Sequence, residues 1–319
     1  MPNPDDRLKV VFMGTPEIAV ESLKAIVNQG FNVVGVVTAP DKPAGRGQKL
    51  KYSAVKEYAL QNDLLLLQPS NLKDANFIEQ LKELNPDVQV VVAFRMLPKL
   101  VWEIPSKGTF NMHASLLPDL RGAAPINWAV IYGYKKTGVT TFFINEEIDK
   151  GKIILSREID IEEGETAGSL HDKLMIIGAN IVVDTLSLIQ DNSVETFCQA
   201  DLEKNISVLK PAPKIYKEDC KIDWNKQGRE IVNFVNGLNP YPGAYALLNI
   251  NPNIGEANYK IIAVAYLLEN HDLSIGDVIT DRKNHIKVAI KDGFIEILSI
   301  QEPGKRLLST KEYLRGVKF

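Results

Sequence analysis

The chain has 319 residues, 45% hydrophobic and 24% charged, with a net charge of −3, which suits an ordinary globular protein of about two domains. No run approaches the roughly 18 uninterrupted apolar residues of a membrane span, the polar start at residues 1–7 has no apolar signal core, and two cysteines, Cys198 and Cys220, make neither a disulfide framework nor a metal-ligand spacing. A reduced, cytoplasmic protein is expected. The charge is uneven, with 21 cationic against 27 acidic side chains in residues 1–204 and 16 against 13 in residues 205–319. A mildly basic second half is compatible with a polyanionic partner.

Strand-like and helix-like segments alternate through the first half. Lys9 to Met13 is a short apolar run ending at Gly14, and Thr15-Pro16-Glu17 reads as N-cap, first-turn proline and first-turn acid of a helix reaching about Asn28. Strands are expected at Asn32–Thr38, Leu64–Leu67, Val88–Ala93, Gly108–Met112 and Val139–Ile144, with helices at Ser53–Asn62, Asn76–Leu84 and Thr166–Gln190. Valine-rich strands alternating with helices indicate βαβ units, hence a doubly wound, mostly parallel α/β sheet covered on both faces. This domain is assigned residues 1–192, and residues 193–206 read as a linker.

From residue 207 the texture changes. Lys210-Pro211-Ala212-Pro213 is a stiff stretch, followed by short alternating runs at Tyr245–Ile250, Tyr259–Tyr266, Asp277–Thr280, Ile286–Ile290 and Phe294–Ile300, and one clear helix near Lys226–Gly237. Short strands at this spacing predict a small β-barrel over residues 207–319.

The residues that carry chemistry cluster after Gly108–Met112. Asn111 and His113 lie two apart, so on a strand their side chains face the same way. Two prolines and a glycine pin the turn that follows. An amide and an imidazole beside a rigid loop suit oxyanion stabilisation and proton transfer. A lone histidine is more often a packed or surface residue, and His171, His271 and His285 are read so. Asp149 is an acid before a glycine, and by spacing alone it reads as an ordinary turn residue. Folded over the site, it could pair with His113 and accept a proton from an attacking amine. Gly14-Thr15-Pro16 lacks the second glycine of a dinucleotide fingerprint, so NAD is not expected. Residues 39–51 hold four cations and one acid among glycines and prolines directly after a strand, which predicts an exposed, mobile, phosphate-contacting loop.

Several blocks resemble the methionyl-tRNA formyltransferases, and the likeness runs over nearly the whole chain. They are Phe12-Met13-Gly14-Thr15-Pro16, Asp41 to Gly47, Asn111 to Pro118, Arg121 to Ile126 and Ile222-Asp223-Trp224. The resemblance implies a Rossmann-like formyltransferase domain and an oligonucleotide-binding-like (OB-like) barrel. It also implies formyl transfer from 10-formyltetrahydrofolate to the α-amine of initiator methionyl-tRNA, without metal, by a cytoplasmic monomer. Asn111, His113 and Asp149 match the family's catalytic trio. Ser115, Leu116, Leu117 and Pro118 match its folate-contacting loop, and Lys42, Arg46 and Lys49 fall in its tRNA-contacting basic loop.

Two places depart from the pattern. Phe94-Arg95-Met96-Leu97-Pro98 stands where many members have a tyrosine–glycine pair, and it resembles the matching loop of glycinamide ribonucleotide formyltransferases. Arg95, Met96 and Leu97 are expected to line the folate pocket. Tyr241 stands where tryptophan is common. Folate formyltransferases acting on an amino-sugar nucleotide share the trio, so that reading stays open. So does a nucleic-acid-binding protein with an inactive site.

Overall fold

Two valine-rich runs form the middle of the first sheet. In the computed structural model, which describes residues 7–44, 49–204 and 208–317, Val10–Met13 are fully buried and Val88–Val92 nearly so. Strands buried on both faces belong in a parallel sheet covered by helices. In chain order the elements are β1 (Lys9–Gly14), α1 (Glu17–Asn28), β2 (Asn32–Val37), β3 (Lys42–Ala44), β4 (Lys49–Lys51), α2 (Ala54–Gln61), β5 (Leu66–Leu67), α3 (Ala75–Glu83), β6 (Val88–Val92), α4 (Lys99–Trp102), β7 (Thr109–His113), α5 (Pro125–Ile131), β8 (Lys136–Phe143), β9 (Ile153–Asp160), α6 (Ala167–Gln190) and α7 (Gln199–Glu203). The sheet runs β5-β2-β1-β6-β7-β8-β9. Pairing is parallel through β7, and β8 then returns antiparallel to it. Loops after β1, β6 and β7 therefore emerge at one end of the sheet, where α/β proteins build their sites.

The second sheet is antiparallel. It holds β10 (Ala244–Asn249), β11 (Glu256–Leu267), β12 (Val278–Thr280), β13 (Ile286–Ile290), β14 (Gly293–Gln301) and β15 (Leu308–Ser309), in the order β10-β11-β14-β13-β12, with β15 beside β14. Its strands alternate, with Tyr259, Ile261, Val288, Ile295 and Ile297 buried in one core. Helices α8 (Gly228–Gly237) and α9 (Thr310–Gly316) pack on that core through Ile231, Val235, Tyr313 and Leu314.

The chain groups into two units, Met1–Gly122, Gly138–Ile159 and His171–Pro211 in one, and Ala123–Thr137, Asp160–Leu170 and Ala212–Phe319 in the other. The stretch 193–206, expected as a linker, includes α7, which belongs to the first unit.

Some local expectations are corrected. Helix α1 begins one residue later than expected, because Pro16 is the N-cap and Glu17 opens the helix. Strand β9 escapes sequence reading because its Ser156-Arg157-Glu158 stretch is polar on an edge strand. Helix α9 also lies outside the expected elements, although Ser309 and Glu312 form a reciprocal capping box that marks its start.

In the loop joining β12 to β13, the backbone N–H groups of Asn284, His285 and Lys283 donate to Asp281, and they hold its carboxyl well below the usual carboxylate range. A depressed folded-state pKa adds stability above the ordinary value of 3.8, and this is lost as pH falls. Asp281→Asn is expected to have a lower thermal midpoint than the parent at pH 7. The gap should close as the pH is lowered below 3.8, and a constant gap would contradict this account.

Candidate active site

Strand β7 places the first two residues of interest. Asn111 pairs with Val91 of β6 and Phe142 of β8, and His113, its last residue, pairs with Thr140 of β8. Asn111 is half-buried and its amide has no hydrogen-bond partner among the described residues. His113 is 6% exposed. Its Nε2 lies 2.9 Å from the Leu120 carbonyl oxygen. A carbonyl only accepts, so Nε2 must carry the hydrogen. In the neutral ring the lone pair then sits on Nδ1, which faces Asp149 Oδ2 at 4.0 Å. The free edge of the imidazole is thus turned to the carboxylate.

The turn that supplies the Leu120 carbonyl is held at several points. Ser115 Oγ donates to the Asp119 carbonyl at 2.7 Å. Thr140 Oγ1 donates to the Ser115 carbonyl at 2.7 Å and accepts from the Leu117 N–H at 3.1 Å. Leu120 has φ +56°, a left-handed value unusual for a leucine, and its N–H donates to the Lys210 carbonyl at 3.0 Å. The Lys210 N–H donates in turn to Asp119 Oδ1 at 2.8 Å. Among the residues expected to contact folate, Ser115, Leu117 and Pro118 are buried and Leu116 is half-buried. Leu117 packs with Phe142 and Ile153.

Asp149 comes from the loop between β8 and β9, with φ +54°. Its Oδ2 accepts the Gly122 N–H at 3.0 Å. One carboxylate oxygen therefore links the turn after β7 to the β8–β9 loop and faces the histidine. Spacing alone made Asp149 an ordinary turn acid, and the fold brings it to His113 across 36 residues of chain. The supports from Leu120, Gly122 and Thr140 were missed, and two of them act through backbone atoms that no side-chain motif records.

At the end of β6 the loop Phe94–Pro98 borders a cavity of about 900 Å³, lined by Ser70, Lys73, Arg95, Met96, Leu97 and Lys99 among others. Arg95 donates to the Ser70 carbonyl at 2.9 Å and to the Pro69 carbonyl. Burial pulls its guanidinium below the ordinary value. Its charge thus clamps one wall of the cavity to the other. Met96 is 74% exposed, while Leu97 is buried in the core with Met13 and Phe77. Gly14, at the end of β1, has a packing reason to be glycine: a Cβ there would lie 2.6 Å from Ala19 Cβ.

The basic loop is partly corrected. Its flanks β3 and β4 pair antiparallel, Lys42 opposite Lys51, so they are ordered rather than open loop. Lys42 is exposed; Arg46 lies outside the described residues, as does the Lys49 side chain. The loop's acid, Asp41, is taken up by Lys56 Nζ at 2.6 Å and Gln68 Nε2 at 3.0 Å. These bonds hold its carboxyl below the usual range, the one from Lys56 most strongly. Among the described residues no three His, Cys, Asp or Glu side chains are grouped to hold a metal, and no helix is long and apolar enough to cross a membrane.

Comparison with known proteins assigns both halves. The formyl transferase family model matches residues 8–186 and the formyl transferase C-terminal domain matches residues 214–318. The chain is 54% identical to the methionyl-tRNA formyltransferase of Flavobacterium johnsoniae over 98% of each chain. It is 50% identical to that of Bacteroides thetaiotaomicron over 98% of this chain and 96% of the relative. Among solved structures, the N-formyltransferase from Helicobacter canadensis, in complex with folinic acid and dTDP-3-aminofucose, shares the fold at a TM-score of 0.66 and 23% identity, covering 91% of this chain and 98% of that one. Two domain matches and near-full-length identity of about half lead to one assignment: the chain belongs to the methionyl-tRNA formyltransferase family.

Proposed function

We propose that this chain transfers the formyl group of 10-formyltetrahydrofolate to the α-amino group of initiator methionyl-tRNA, with Asn111, His113 and Asp149 as catalytic residues. The observation that carries the reading is the imidazole of His113, with its Nε2 committed to Leu120 and its Nδ1 facing Asp149, two residues after an Asn111 amide that has no partner among the described residues. The methionyl nitrogen attacks the formyl carbon, forming the new C–N bond, and the C–N10 bond then breaks. The Asn111 amide donates to the developing oxyanion, and the Nδ1 edge of a protonated His113 can do the same. Asp149 accepts the proton that the amine loses and passes it, through water, to the departing N10. No covalent enzyme intermediate and no metal enter this scheme.

Binding is divided between the halves. The loop Ser115–Pro118 and the cavity wall at Arg95, Met96 and Leu97 hold the folate co-substrate. Lys42, Arg46 and Lys49 contact the tRNA backbone, residues 207–319 are the tRNA-binding domain, and residues 1–192 are the catalytic domain. The enzyme acts as a cytoplasmic monomer in this reading. The exposure of Lys42 and the cationic excess of residues 205–319 support a polyanionic acceptor.

Incubation with 10-formyltetrahydrofolate, charged initiator tRNA and a competing amino-sugar nucleotide is expected to give formyl-methionyl-tRNA as the product. Formylated sugar instead would overturn the acceptor, and no product with either would favour a non-catalytic binder. Asn111→Ala and His113→Ala should each lower kcat by about 10²–10³, measured by single-turnover formylation; near-normal rates would remove the assigned chemistry. Arg46→Ala should raise KM for tRNA while leaving that for folate unchanged. An equal effect on both substrates would place the loop elsewhere in the mechanism.

A further inference from the structure

Asp149 is set by no strand. It sits at φ +54° in the β8–β9 loop, and the Gly122 N–H fixes only its carboxylate. Its backbone is held by a side chain from α7, in the stretch that sequence reading assigned to a linker. Gln199 Nε2 donates to the Asp149 carbonyl at 2.9 Å and to the Gly151 carbonyl at 2.8 Å, gripping the loop on both sides of Lys150. Gln199 Oε1 accepts from Arg121 Nε at 3.1 Å and from Arg121 Nη2. Arg121 Nε also reaches the Asp149 carbonyl at 3.2 Å, and its Nη2 is paired with Glu203 Oε1 at 2.7 Å.

Gln199 is 2% exposed, with both amide hydrogens and its oxygen in use. A buried amide satisfied on every side has one orientation, because any other leaves polar groups unpaired. The opposite side of the loop is equally closed. A Cβ on Gly151 would fall 1.6 Å from the Phe143 carbonyl oxygen, so the loop backbone is pressed against the end of β8. The loop is thus held between β8 and Gln199, with Asp149 at its turn.

We propose that Gln199, braced by Arg121, is the positioning residue that sets Asp149 against His113. The proposal rests on the reading of Asp149 as proton acceptor. Gln199 touches no reacting atom; it acts through the backbone that carries the carboxylate. Without its two donors, the Asp149 and Gly151 carbonyls are left to be satisfied by a shifted loop, and the 4.0 Å separation from His113 is no longer enforced.

The test is a kinetic cycle on the full chain. Gln199→Leu is expected to lower kcat by about 10²-fold, as a misplacement of order 1 Å does, with KM for methionyl-tRNA within about twofold of the parent. In an Asp149→Asn background the same substitution should cause no further loss, because both changes remove one function. Gln199→Glu, close in shape, should lose as much, since a carboxylate donates nothing to the two carbonyls. An independent, multiplicative loss in the Asp149→Asn background, or a KM rise at unchanged kcat, would overturn the clamp. A damaged Asp149→Asn beside a normal Gln199→Leu would overturn the clamp alone. A normal Asp149→Asn would overturn the proton-acceptor reading and the clamp with it.

Discussion

The hydrogen bond from His113 Nε2 to the Leu120 carbonyl is the contact on which the site's chemistry depends. It fixes which nitrogen carries the hydrogen, turns the other nitrogen toward Asp149, and leaves the imidazole one free edge. The bond exists only because the turn after β7 doubles back to bring residue 120 under residue 113. That turn is held from both sides, by Thr140 of β8 and by the Lys210 backbone. A histidine at a strand end is common, whereas one whose tautomer is dictated by a fixed carbonyl is ready for proton transfer.

The sheet supplies only part of the remaining geometry. Strands β1, β6 and β7 run parallel, so their following loops share an end of the sheet. Strand β8 runs the other way, so its last residue, Phe143, lies beside Phe110 near the start of β7, and the β8–β9 loop leaves from the opposite end of the sheet. The loop therefore folds back toward the end of β7, where the Gly122 N–H donates to the Asp149 carboxylate and Gln199 holds the loop backbone. A carboxylate from a later loop thus faces a histidine from an earlier strand through the conformation of that loop and not through strand direction.

Much of this was legible in the chain. Buried valine runs at 88–92 and 10–13 and the apolar stripe of 166–190 announced a covered parallel sheet, because burial on both faces removes the polar alternation. The same-face spacing of Asn111 and His113 followed from the two-residue repeat of a strand. The short alternating runs after residue 244 announced a small β-barrel, and the structure arranges them as one antiparallel sheet. Strand β9 was not legible, since an edge strand can carry Ser156, Arg157 and Glu158 facing solvent. Nor was α7, five residues long, too short for a helical stripe to register.

What the sequence determined by itself is what depends on neighbours along the chain: strand and helix periods, the pairing of Asn111 with His113 on one face, and the basic character of residues 39–51. The family's residue blocks are readable in the same local way. Tertiary structure alone decided which backbone groups meet which side chains. The Leu120 carbonyl, the Gly122 N–H and the carbonyls of Asp149 and Gly151 belong to every residue type alike, so no residue letter marks them as partners. Gln199 is 50 residues from Asp149 in the chain, and only the closing of β8 and α7 around one loop brings its amide within hydrogen-bonding distance, because hydrogen bonds are satisfied by position in space and not by order along the chain.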